Sequence, residues 1–232
     1  MGIRKIPIPC NAQPAADFLN DLIRRSQKFL ADHPVNQKRI AEGKDPANSL
    51  WPWSPGNRPE METLQKRFGI SGAMISAVDL LYGIGKYAGM KAVKVSGSTG
   101  LHDTNYEGKA EAAVNALNEV DLVYLHIEAS DEAGHEGDEH LKTKTIEYLD
   151  RRVVKYILEE TEKMEEEVAI ALIPDHPTPC ALRTHTHDPV PFIIYHPGVP
   201  GDNVTEYNEE TTKEGHYGTI EGDEFIKALL KK

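Results

Sequence analysis

The chain has 232 residues, 39% of them hydrophobic and 27% charged, and 37 acidic against 26 basic side chains leave a formal charge of −11. That length supports one α/β domain with a smaller appendage, and the apolar blocks are too dense for a disordered chain. The charge excludes sequence-independent binding to nucleic acid or to anionic membranes, both of which need a basic footprint.

The longest aliphatic run, VAIALI at 168–173, is far short of a membrane span. MGIRKIPIPCNAQ at the start lacks the long apolar stretch of a signal peptide, so a cytoplasmic protein is expected. Cys10 and Cys180 have no CxxC partner and fit a reducing compartment.

In chain order, PAADFLNDLIRRSQKFLADHP carries Phe18, Leu19, Leu22, Ile23, Phe29 and Leu30 at helical spacing, with Pro14 suited to the first turn and Pro34 beyond the end. GKDPANSLWPWSPGNRP follows, dense in Gly and Pro yet holding both tryptophans, which predicts an ordered loop rather than a linker. Residues 1–59 therefore read as a helix plus an ordered Trp/Pro-rich loop, and 60–232 as an α/β domain. In the latter, GAMISAVDLLYGIGKYAGM predicts a strand feeding a helix, KAVKV a strand, YEGKAEAAVNALNE a helix and VDLVYLHIEAS a buried strand. Residues 138–160 form the strongest helical pattern, with Leu141, Leu149, Val153 and Ile157 on one stripe and Ile146 and Tyr156 beside it. EEEVAIALIPD and PVPFIIYHPG read as strands, and EGDEFIKALLKK as a closing helix. The alternation predicts a largely parallel sheet covered by helices on both faces.

Ligands of such sheets bind beyond the carboxyl ends of the strands. One strand is followed by EASDEAGHEGDEH, which packs six carboxylates and two histidines into thirteen positions. There Asp131 and His135 are four apart, so one helical turn would place both on one face. A second strand is followed by Asp175 and His176, and His185 and His187 precede the last one. Oxygen and imidazole donors of this kind suit Zn²⁺, Mn²⁺ and related ions. Each cluster alone reads equally as a solvated acidic face or an ordinary hydrogen-bonding group. His187, His140, His126 and His196 read as surface or core histidines. Three clusters at successive strand ends favour a two-metal site, which could neutralise an anionic substrate.

EASDEAGHEGD, PDHPTPC and THTHDPVPFIIYHPG, in that order, resemble the metal-binding motifs of the archaeal-type cofactor-independent phosphoglycerate mutases of the alkaline phosphatase superfamily. ANSLWPWSPG, ISAVDLLYGIGKYAG and TGLHDTNYEGKAEAA resemble the same family, so the likeness runs from about Asp17 onward. It implies an alkaline-phosphatase-like core and an isomerase of glycolysis and gluconeogenesis that interconverts 3-phosphoglycerate and 2-phosphoglycerate through a phosphoserine, with divalent metal ions (Mn²⁺, Mg²⁺ or Zn²⁺) as cofactors. By the same resemblance Asp131, His135 and His185 hold one ion and Asp175 and His176 help to hold a second. His187 has no counterpart among the ligands. Arg183, Lys109, Trp51 and Trp53 are the candidate substrate contacts.

The sequence departs from that family in one respect. Its members are longer and begin with an Asp-Gly ligand motif followed by a nucleophilic Ser, whereas this sequence has no Asp-Gly dipeptide and no serine in that context. The expectation is a C-terminal half with an incomplete core, binding one ion where the intact enzyme binds two and inactive as a mutase alone. Exposed sheet edges would invite the missing half or self-association. A stand-alone metal-dependent phosphohydrolase and a non-catalytic metal-binding or interaction module are the competing readings.

Overall fold

The computed structural model describes residues 12–52 and 56–231; Cys10 and Trp53 lie outside them. The chain divides into two compact units, Met1–Pro59 and Glu60–Lys232. In the first, α1 (Gln13–Ala31) has a proline in its first turn and α2 (Pro34–Ala41) is capped by His33, whose ring accepts from the Val35 amide. Buried Asn36 donates to the carbonyls of Leu30 (2.7 Å) and Ala47 (2.6 Å) and accepts from the Ala47 amide (2.9 Å). Those bonds tie the loop after α2 back onto the helix pair. Trp51 in that loop is 63% exposed.

The second unit opens with α3 (Leu64–Phe68), capped by Thr63, and enters β1 (Gly72–Ile75). Then come α4 (Asp79–Tyr87), β2 (Lys91–Val93), α5 (Tyr106–Leu117) and β3 (Leu122–Leu125). Strand order is β2-β1-β3, all parallel, with Ala73 opposite Lys91 on one side and Val123 on the other. Successive β1 residues point to opposite faces, and all four are buried, so both faces of the central strand are covered. Gly85 of α4 permits this on one face, because a Cβ there would stand 3.1 Å from that of Met74. The α/β class expected from the alternation is the one found.

Beyond β3 lie α6 (Ala129–Glu136), α7 (Glu139–Tyr148), a π-helical stretch (Leu149–Val154) and α8 (Lys155–Thr161). The apolar stripe expected here is present in part. Val153 is buried with Tyr106, Ala110 and Ala129, and Leu149, Tyr156 and Ile157 pack around them. Ile146, however, is 52% exposed and Thr145 is fully buried in its place. Positions 145, 149, 153, 157 and 161 repeat every four residues, against about 3.6 per α-helical turn. A wide π turn absorbs that excess and holds the stripe on the core. Both buried threonines are satisfied by bonding back to carbonyls one turn earlier, Thr145 to Lys142 and Thr161 to Ile157.

The last strands, β4 (Ile170–Leu172) and β5 (Ile193–Tyr195), pair antiparallel with each other as a separate two-stranded sheet. They refine the expectation, since the parallel arrangement covers β1 to β3 alone. A short 3₁₀ turn (Thr211–Glu214) and α9 (Glu224–Leu230) complete the unit. Among the described residues no helix is long and apolar enough to cross a membrane.

Candidate metal centre

The carboxyl end of β3 leads directly into α6, where the four-residue spacing puts Asp131 and His135 on one face. His135 Nε2 is 3.3 Å from Asp131 Oδ2. His185, fifty positions further on, joins them. Its Nε2 stands 3.0 Å from His135 Nε2 and 3.4 Å from Asp131 Oδ1. One donor atom from each of Asp131, His135 and His185 falls within 4.8 Å of the others, close enough to share one ion.

Orientation of the imidazole supports the fit. His135 Nδ1 lies 3.1 Å from the Arg183 carbonyl, which can only accept; a proton on Nδ1 fits that contact and would leave Nε2 with its lone pair toward the cluster. A ligand histidine anchored through its other nitrogen is the usual arrangement at metal sites. Arg183 presents its carbonyl from a left-handed backbone conformation, φ 54°, costly for a residue with a Cβ. Bonds from the Leu182 and Arg183 amides to the Pro179 carbonyl, 3.0 and 2.9 Å, hold it there. The Arg183 guanidinium lies over Gly137, where a side chain would collide with it, and Gly137 ends α6 at φ 72°.

Asp175 and His176 follow β4. Asp175 Oδ1 accepts from the His176 amide at 3.0 Å, and Asp175 Oδ2 is 3.2 Å from His176 Nε2. The two side chains thus lie side by side in a turn. His176 Nδ1 is 3.8 Å from Asp131 Oδ1, and its ring lies over that of His185 with centroids 3.6 Å apart. All five residues expected as ligands therefore stand in one neighbourhood.

The loop bearing Asp175 and His176 is seated on α6 and α7. Thr178 donates its hydroxyl to Asp131 Oδ1, and its carbonyl accepts from Lys142 Nζ at 2.6 Å. Gly134 lies directly against that carbonyl, where any side chain would collide with it. Neither Thr178 nor Gly134 figures among the residues expected from the motifs, although PDHPTPC and EAGHEGD contain them. Glu128 is another addition, with carboxylate oxygens of Glu128, Asp131 and Glu132 close enough to one another to share a cation. Burial and then the neighbouring Glu132 and Asp131 charges push the Glu128 carboxyl up.

The four candidate substrate contacts fare differently. Arg183 is exposed, with its guanidinium over Gly137. Lys109 is fully buried instead of surface-facing, its Nζ 3.4 Å from the carbonyls of both Thr99 and His126. Burial pulls its amine down to about 8, with the Glu128 charge opposing. Trp51 belongs to the other unit, and Trp53 lies outside the described residues. His126 reaches Ser76 Oγ at 3.4 Å and buried His196 the Ala228 carbonyl at 3.3 Å.

A family model, the metalloenzyme superfamily, matches residues 11–232. The 2,3-bisphosphoglycerate-independent phosphoglycerate mutase of Methanosarcina mazei is 49% identical over 216 residues, which is 93% of this chain and 54% of that protein. Its counterpart from Methanothermobacter thermautotrophicus, number 2 of that name, is 44% identical over 215 residues, 93% of this chain and 53% of the relative. A solved protein from Pyrococcus horikoshii has a TM-score of 0.83 at 33% identity, covering 96% of this chain and 58% of its own. The cofactor-independent phosphoglycerate mutase of Thermoplasma acidophilum scores 0.58 at 25% identity, covering 94% of this chain and 52% of its own. The chain thus spans about half the length of the curated relatives it matches. It belongs to the metalloenzyme superfamily, and over that half it is similar to the archaeal-type cofactor-independent phosphoglycerate mutases.

Proposed function

We propose that these residues are the metal-ligating half of a cofactor-independent phosphoglycerate mutase, acting between 3-phosphoglycerate and 2-phosphoglycerate in the cytoplasm. The observation that carries the reading is the convergence of Asp131, His135 Nε2 and His185 Nε2, with His135 turned into place by the Arg183 carbonyl. Asp131, His135 and His185 would hold one divalent ion, Mn²⁺, Mg²⁺ or Zn²⁺. Asp175 and His176 would contribute to a second, completed by groups beyond these 232 residues. Such ions supply positive charge to a transferring phosphoryl group, which an acidic protein otherwise lacks.

The protein's own groups then have separate tasks. Thr178 and the Arg183 carbonyl orient ligands, and the exposed Arg183 guanidinium is a cation that could meet a substrate phosphate. Lys109, buried behind the strand end, supports the backbone at Thr99 and His126 instead of touching substrate. Leu172, Ile193 and Tyr195 are each more than a third exposed. They share one face of the β4–β5 pair, a surface suited to the complementary half or to a second copy.

The test is the number of ions per chain, by elemental analysis after loading with Mn²⁺ and desalting. About one ion is expected, lost in His185→Ala. Phosphoglycerate mutase turnover is expected to be absent alone and restored by adding the complementary part of the Methanosarcina mazei enzyme. Two tightly held ions, or mutase turnover by the chain alone, would contradict the assignment of the missing groups. No ion in either protein would remove the metal centre itself.

A further inference from the structure

We infer that Lys109 is a specificity-determining residue of the metal centre: its buried ammonium keeps a divalent ion off the carboxylates at the start of α6 and leaves Asp131 to the histidine side. The inference rests on reading Asp131, His135 and His185 as the ion's ligands. Two donor clusters share Asp131, one with His135 and His185 and the other with Glu128 and Glu132. By charge alone the trio of carboxylates is the stronger attractor of a cation, so the choice of the histidine side needs a cause.

Lys109 lies on the Glu128 side. Its Nζ is 3.4 Å from the Thr99 carbonyl, and the next residue, Gly100, lies against the Glu128 carboxylate, where a Cβ would stand 3.1 Å from Oε2. The same Nζ is 3.4 Å from the carbonyl of His126, at the strand end that leads to Glu128. Two separate backbone segments thus bring the amine and that carboxylate into one neighbourhood, and Glu128 is the charge that acts on the amine. Lys109 is fully buried, where salt screens its charge little. With its value at about 8, the amine is largely protonated at pH 7.

An ammonium beside Glu128 repels a proton there, which favours the ionised carboxylate, but it repels a doubly charged ion about twice as strongly. The balance therefore falls against the metal. Glu128 also stands at the N-cap of α6, where the positive end of the helix disfavours a cation. His135 belongs to the last turn, about 10 Å further along at the ordinary helical rise, and meets His185 there. The start of α6 is thus closed to a divalent ion by two positive sources, and its last turn is open.

The test is calorimetric titration of the full chain with Mn²⁺ at pH 7, with the fold of every variant checked by circular dichroism. His185→Ala is expected to lose the ion, as above. Adding Lys109→Met to His185→Ala should restore Mn²⁺ binding, now on the acidic trio, and adding Glu128→Gln should remove it again. Lys109→Gln, which keeps an N–H donor near the two carbonyls without the charge, should act as Lys109→Met does. A lysine with a merely structural task would give the opposite sign, since its loss would weaken binding. A double variant that folds and binds nothing, restored binding that survives Glu128→Gln, or a failure of both Lys109 variants to fold would overturn the inference. The metal-centre reading fails by a different result, a parent chain that takes up no ion.

Discussion

The 176–178 loop and the β4–β5 pair, whose first strand leads into it, are held by different means. The loop is tied by polar contacts to two helices: Thr178 to Asp131 on α6, the Thr178 carbonyl to Lys142 on α7, and Asp175 to the loop's own backbone. The strands make one short antiparallel ladder, and Leu172, Ile193 and Tyr195 remain more than a third exposed on one face. An isolated two-stranded sheet is marginal in water. The 176–178 loop is therefore ordered from the helical side, and β4 supplies connection more than support. Central β1 is the opposite case, buried at every residue.

Four substitutions sharpen that contrast, from the largest effect to the smallest. Met74→Ala, in the covered central strand, should cost about 2–5 kcal/mol in denaturant unfolding, through lost burial and a cavity beneath Gly85. A cost under about 1 kcal/mol would mean that β1 is not the centre of the core. Gly134→Ala should cost about 1–3 kcal/mol, because its Cβ must displace the Thr178 carbonyl. It should also weaken Mn²⁺ binding by calorimetry, since the same displacement withdraws the hydroxyl from Asp131. Unchanged affinity at reduced stability would separate the loop from the metal centre.

Lys109→Met tests the buried amine by its pH dependence. Burial lowers the folded-state value from 10.5 to about 8, so between those values the unfolded chain binds more protons than the folded one. Stability should therefore gain a contribution as pH rises from about 8 toward 10.5. The variant should lack that gain, and parallel pH–stability curves for the two proteins would show that the amine titrates normally. Leu172→Ser, on the exposed face of β4, should shift stability by no more than about 0.5 kcal/mol. A large loss there would mean that the face is covered in solution, and sedimentation would identify a second copy.

Much of the fold was legible because its elements carry strong local signals. The strand-to-helix steps at Gly72–Tyr87 and Leu122–Glu136 follow from apolar runs that change period, and the Asp131–His135 pairing follows from helical spacing. The exchange of Ile146 for Thr145 in the stripe was not legible, since an apolar count favours isoleucine and cannot see a π turn. Nor was the burial of Lys109, because a lysine in a helix reads as solvated until α5 is packed against β3. Thr178 and Gly134 carried no chemical signal of their own.

The sequence by itself determined the α/β class, the helical pairing of Asp131 with His135, and the acidic, imidazole-rich chemistry of the strand ends, because these depend on spacing and composition over short stretches. The family resemblance grouped His185 with that pair, and only the tertiary structure decided that β4 and β5 pair apart from the parallel strands, and that one threonine hydroxyl stands between Asp131 and His176. Those outcomes depend on which distant backbones are brought within a hydrogen bond of each other. Local periodicity does not encode that, whereas packing does.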